Sequence, residues 1–103
     1  MEYIEIDKEA IPYRFEIDLA GEIFIFEVHY NERFDYFAVD IEKSGEVILQ
    51  GAKIVYGNPL FNFSNDPRLP KVKITPIDEA GNETRAGYDQ LENTVFLAVE
   101  AIT

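Results

Sequence analysis

Residues 23–60 read IFIFEVHYNERFDYFAVDIEKSGEVILQGAKIVYGNPL, and the fold turns on this stretch. Phe24, Phe26, Val28 and Tyr30 alternate along a first run, and Phe37, Val39 and Ile41 along a second. Val47 and Leu49, followed by Ile54-Val55, form a third. Period-two alternation in short runs rich in Val, Ile, Phe and Tyr is the signature of half-buried strands. Asn31-Glu32-Arg33 begins one turn, and Lys43-Ser44-Gly45-Glu46 is a tight hairpin turn with Gly45 in the left-handed region. Gly51-Ala52 marks a bulge or bend in the third run. The stretch is therefore expected to be a three-strand antiparallel meander.

Its first strand is apolar on both faces, because Ile23 and Ile25 lie opposite Phe24, Phe26 and Val28. Such a strand is central in a sandwich or barrel, or has one face in an intermolecular contact. Left bare, Phe24–Tyr30 would template aggregation, so something must cover it.

Working outward, Arg14–Leu19 alternates with Phe15, Ile17 and Leu19 inward, and Ala20-Gly21-Glu22 turns it into the meander. Residues 1–12 alternate Tyr3, Ile4 and Ile6 with acids before Pro12, which cannot donate a ladder hydrogen bond. They are expected to form an extended arm, either docked on a neighbour or frayed or folded back on its own chain. Downstream, Leu60–Pro70 is a loop carrying Phe61 and Phe63, a lid over one end of the barrel or sandwich or a platform for a ligand. Lys71–Ile77 is a strand whose Pro76 suits an edge position, and Asp78–Glu83 is a polar hairpin loop. Residues 87–92 allow at most one short helical turn, and Asn93–Ile102 is the closing strand. The whole is expected to be a single all-β domain, residues 1–103, a small antiparallel β-barrel or sandwich of about six or seven strands.

Nine basic against twenty acidic residues give a net charge of −11. That excess argues against direct binding to nucleic acid, where Lys and Arg supply most of the affinity, and against anionic membranes. Surplus carboxylates either keep a β-domain soluble or form a surface meant to meet a basic partner or repel polyanions. With no cysteine, disulfides, thiolate metal sites and cysteine nucleophiles are excluded. The opening MEYIEIDKEA lacks the basic and long apolar regions of a signal peptide, and no apolar run is long enough for a spanning helix. A soluble protein made in a cytoplasm is expected.

Candidate chemistry is sparse. His29 is the single histidine and has no obvious Ser or Asp partner in the sequence, so it reads as a structural or surface residue. Asp40 with Glu42, and Glu5 with Asp7, share strand faces, a spacing open to acid–base work or a hard cation. Among twenty acids such pairs also arise as ordinary solvated faces. Asp78–Glu83 lacks the alternating ligands and terminal glutamate of an EF-hand, and no phosphate-cradling loop or GxSxG motif occurs. No catalytic, cofactor or metal residue is assigned, and an enzyme is not expected.

The run Arg14–Ile41, above all Tyr30-Asn31-Glu32-Arg33 followed by aromatics and Asp40-Ile41, carries a family pattern. Gly45, Gly51, Gly57-Asn58-Pro59-Leu60, Leu69-Pro70, Gly81, Tyr88-Asp89-Gln90-Leu91 and the Val95–Val99 strand continue it. Over roughly residues 11–100 the chain resembles the cyanophage-type baseplate plug family of contractile tails. Where such proteins often carry tryptophan after the turn, this chain has Tyr36-Phe37. The resemblance implies a structural subunit in the virion's tail baseplate, at the hub or plug near the end of the tail tube. It implies several symmetric copies contacting other baseplate, hub and tail-tube proteins, made in the host cytoplasm. An acidic surface beside a DNA conduit would not trap the passing polyanion. The expected contact residues are Tyr3, Ile4, Ile6, Tyr13, Tyr36, Phe61 and Phe63. The competing expectations are a stand-alone ligand-binding β-barrel, with Phe61 and Phe63 over its mouth, and an acidic inhibitor of a DNA-handling protein.

Overall fold

The computed structural model describes residues 2–61 and 66–101. Among the described residues, seven strands form two antiparallel sheets. The larger is a run of hairpins: β2 (Tyr13–Leu19), β3 (Glu22–Asn31), β4 (Tyr36–Lys43) and β5 (Glu46–Lys53), in that spatial order. The smaller has the order β1 (Glu2–Ile4), β7 (Phe96–Ala101), β6 (Val72–Ile77). The sheets do not close on one another, so of the two expected architectures the sandwich is the one formed.

Local chemistry explains the larger sheet. Ala20-Gly21 and Ser44-Gly45 each place two successive residues at positive φ (54° and 83°, then 53° and 80°). Two-residue loops of that kind twist in the same sense as the strands they join, which sets the register Leu19↔Glu22 and Lys43↔Glu46. Once register is set, period two does the rest. Phe24, Phe26 and Val28 of β3 and Phe37, Val39 and Ile41 of β4 all point inward with no exposed surface. From the smaller sheet Ile4, Val72, Ile74 and Leu97 meet them, and Ile54, Leu60, Leu69, Leu91 and Val95 fill the remaining space. Each large apolar side chain so buried contributes about 1.5–3 kcal/mol.

β5 departs from simple alternation at two places. Val39↔Ala52 is followed by Ile41↔Leu49, and Ile41↔Leu49 by Glu42↔Val47, so β5 carries an extra residue at each step. One bulge falls at Gln50-Gly51, with Gly51 at φ 71°, matching the bend read from Gly51-Ala52. The strand ends at Lys53 rather than running on to Val55. Ile54 still donates its N–H to the Phe37 carbonyl at 2.9 Å and is buried, whereas Val55 turns outward.

Pro76 sits in β6 at the end of its sheet, the edge position that a missing N–H requires. That edge is partly covered: Gly57 N–H donates to the Pro76 carbonyl (2.9 Å) and Leu60 N–H to that of Ile74 (2.8 Å). The arm folds back on its own chain. β1 pairs with β7 in the register Glu2↔Val99, Tyr3↔Ala98, Ile4↔Leu97, and a 3-10 helix at Lys8–Ala10 leads on towards β2. The Asp7 carboxylate caps that helix by accepting from Glu9 N–H at 3.1 Å.

β6 and β7 pair directly, so the polar Asp78–Glu83 segment is only the first part of a connection that runs on to Val95. Asp78 organises that part by accepting from the N–H groups of Ala80, Asn82 and Glu83 at 3.0, 3.0 and 3.1 Å. At residues 87–92 a single turn forms, with Gln90 and Leu91 both donating to the Gly87 carbonyl, and no helix follows.

Candidate interaction surface

The tip of the β3–β4 hairpin is tied to the β6–β7 connection through Asp35. Its Oδ1 accepts from Tyr30 Oη at 2.6 Å and from Tyr88 N–H at 2.8 Å, and its Oδ2 pairs with Arg85. The Tyr30 hydrogen bond, followed by the others, holds the Asp35 carboxyl below its usual range. The same bond to a carboxylate pushes the Tyr30 phenol up to about 12. Above this clasp Tyr88 lies 5.2 Å from the Tyr30 ring and 6.1 Å from Phe37, with the Lys8 ammonium 4.8 Å from its centroid. Phe34 stays 68% exposed at the hairpin tip, with the Arg33 guanidinium 5.3 Å from its ring.

A groove of about 530 Å³ opens beside the arm. Tyr3 and Phe96 form one apolar wall, their rings meeting edge to face at 6.0 Å. Glu5, Asp78, Glu79 and Glu92 supply four carboxylates, and no lysine or arginine is among the lining residues. Burial pushes the Glu92 carboxyl up, against the hydrogen bond that it accepts from Ile6 N–H at 3.0 Å. A groove of this composition suits a segment that brings both an apolar side chain and positive charge.

The outer face of the larger sheet is mixed. Ile23 and Val47 are each more than half exposed, so one side of the doubly apolar β3 is covered by the second sheet and the other is only partly covered. On that face Arg14 pairs with Glu42 at 2.7 Å, whereas the Lys43–Glu22 pair (2.6 Å) sits at the rim of the inward side, with the Lys43 ammonium 5.3 Å from the Phe24 ring. His29, which seemed partnerless in the sequence, has Nε2 at 2.9 Å from Asp40 Oδ2 and 3.0 Å from Glu27 Oε2. The pairing Glu27↔Asp40 across the hairpin brings them together, and counting back from the Asn31–Tyr36 turn would have found it. Asp40 and Glu42 therefore have separate partners and do not work as a pair.

Of the seven residues expected to make contacts, Tyr3 lines the groove and is 41% exposed. Ile4 and Ile6 are core positions instead, 4% exposed each: Ile4 through its pairing with Leu97 of β7, and Ile6, past the end of β1, where its N–H is held by Glu92. Tyr13 is half-buried on β2, stacked on Phe15 at 5.3 Å, and its oxygen accepts from Asp7 N–H at 2.8 Å. Burial raises its phenol above the ordinary value. Tyr36 lies under the Lys53 ammonium, 4.4 Å from its centroid, and Phe61 packs on the core at φ 68°. Phe63 lies outside the described residues. The sequence reading missed Phe34, Phe96 and Val47, each of which looks in sequence like an ordinary strand or turn residue.

Compared with known proteins, residues 1–101 match a family model described as the cyanophage baseplate Pam3 plug gp18. No curated protein and no solved structure gives a match.

Proposed function

Since this chain belongs to the cyanophage baseplate plug family, a structural component of the phage tail baseplate, we propose that it works as a plug subunit at the hub, near the end of the tail tube. It acts there through protein–protein contacts with neighbouring baseplate and tail-tube proteins, in several symmetric copies. The observation that carries the contact mode is the groove walled by Tyr3 and Phe96 and floored by acids with no basic residue. A neighbour's segment bearing Lys or Arg beside an apolar anchor would fill it, with the carboxylates guiding encounter and the aromatics holding the complex. Tyr3, Tyr13, Tyr36, Phe34 and Phe61 are the aromatic contact candidates. The net charge of −11 also suits a wall beside passing DNA.

Co-expression with the adjacent baseplate and tail-tube proteins, followed by size-exclusion chromatography with light scattering, tests the reading. A defined complex is expected, weakened by Tyr3→Ala and by the charge reversals Glu5→Lys and Glu79→Lys. A monomer that ignores every neighbour, or a complex indifferent to all three substitutions, refutes the groove as its seat. The ligand-binding barrel loses its premise, because the two sheets leave no closed barrel for Phe61 to cap.

A further inference from the structure

One cluster on the outer face of the larger sheet joins a nitrogen donor to two oxygen donors. Glu27 and His29 are two apart on β3, and Asp40 lies opposite Glu27 on β4, so strand periodicity turns all three to one side. Their ligand atoms fall within 4.8 Å of one another. We propose that Glu27, His29 and Asp40 form a binding site for a divalent first-row transition cation of the Zn²⁺ class.

The spacing fits that assignment. Donors about 2.1 Å from a metal lie about 3.0 Å apart at right angles and about 3.4 Å apart in the tetrahedral arrangement Zn²⁺ prefers, so the side chains need open by no more than about 0.5 Å to admit the ion. His29 Nε2 stands 2.9 Å from Asp40 Oδ2 and 3.0 Å from Glu27 Oε2. Two carboxylates with a neutral imidazole also balance a double positive charge, and the nitrogen donor favours Zn²⁺ over Mg²⁺ or Ca²⁺. Asp40 is already oriented: Gly51 N–H, presented by the β5 bulge, donates to Oδ1 at 2.7 Å and leaves Oδ2 towards His29. The nearby cation Arg14 is engaged by Glu42 at 2.7 Å. Side-chain exposures of 34%, 41% and 19% for Glu27, His29 and Asp40 leave room for water to complete the shell.

The chain's composition makes the test clean, since it holds one histidine and no cysteine. Untagged full-length protein is titrated with ZnCl₂ by calorimetry while the single imidazole is followed by long-range ¹H–¹⁵N NMR. One equivalent of Zn²⁺ per chain is expected, with the His29 signals changing in step and staying put under equal MgCl₂. His29→Gln and Asp40→Asn should each weaken binding at least ~10-fold, and Glu42→Gln should not. No saturable uptake, uptake that leaves the His29 signals unmoved, or uptake unchanged by both ligand variants overturns the site. The wild-type NMR arm decides even if a variant fails to fold.

Discussion

Gly87 is buried, and a methyl group there would overlap Asp35 Oδ2 and approach Asp35 Cγ and Arg85 Nη2 to 2.9 Å. Its backbone is not in the left-handed region, so alanine itself is conformationally allowed. Two effects of opposite sign therefore compete in Gly87→Ala. Restricting the unfolded chain favours the variant by about 0.4–1 kcal/mol. Against this, the carboxylate must swing away and release Tyr30 Oη and Tyr88 N–H, held at 2.6 and 2.8 Å. A hydrogen bond to a charged group contributes about 1.5–3 kcal/mol, and Asp35 is 35% exposed, so each is discounted to about 1 kcal/mol. Including the Arg85 ion pair at well under about 1 kcal/mol, the net loss is about 1–2 kcal/mol. For a chain of this size that lowers Tm by roughly 5–15 °C. The assay is thermal and urea unfolding of Gly87→Ala, Asp35→Ala and the double variant. If the clash with the carboxylate is the cause, alanine at 87 is neutral or stabilising once Asp35 is gone. An unchanged or raised Tm in the single variant, or the same loss in both backgrounds, would refute the reasoning.

Three further outcomes are expected. Tyr30 has its folded value raised from 10.0 to about 12, so its contribution is complete below pH 10 and is lost as pH rises through 12. The stability gap between wild type and Tyr30→Phe, about 1 kcal/mol at neutral pH, should therefore close across that window in pH-dependent urea melts. Glu92 is raised by burial, so keeping it ionised at pH 7 works against the fold; Glu92→Gln should raise Tm there and lose its advantage as pH falls below the ordinary value of 4.5. Phe26, with no exposed surface between the sheets, should cost about 3–5 kcal/mol as Phe26→Ala, visible as a large drop in the urea midpoint at unchanged slope.

The hairpin sheet was legible because its information is local. Alternation assigns faces, and the two-residue turns at Ala20-Gly21 and Ser44-Gly45 set register without reference to the rest of the chain. What stayed hidden depends on partners far away. Nothing near Ile4 says that it pairs with Leu97, and the alternating arm fitted docking on a neighbour as well as docking at home. Asp35 meets Arg85 and Tyr88 from fifty and fifty-three positions away along a connection without periodicity, so the clasp left no signal. Barrel against sandwich was equally open, since it rests on where the chain goes after the bulged β5. His29 is the exception: its partner Asp40 sits in the adjacent strand of a readable hairpin, and carrying the register through would have exposed it.

The charge balance gains meaning once the cations are located. Arg14, Lys43, Arg68 and Arg85 are each paired with acids of their own chain. Lys8, Arg33 and Lys53 lie over the rings of Tyr88, Phe34 and Tyr36. Most of the nine basic residues thus serve internal contacts, while the groove beside Tyr3 concentrates carboxylates that no lining lysine or arginine offsets. The field presented there is negative by construction, so a protein docking in it would have to bring the compensating charge. Self-association through that groove alone would place acids against acids. A symmetric ring of copies would have to be built on other surfaces, such as the mixed outer face bearing Ile23 and Val47, leaving the acidic groove for a different protein.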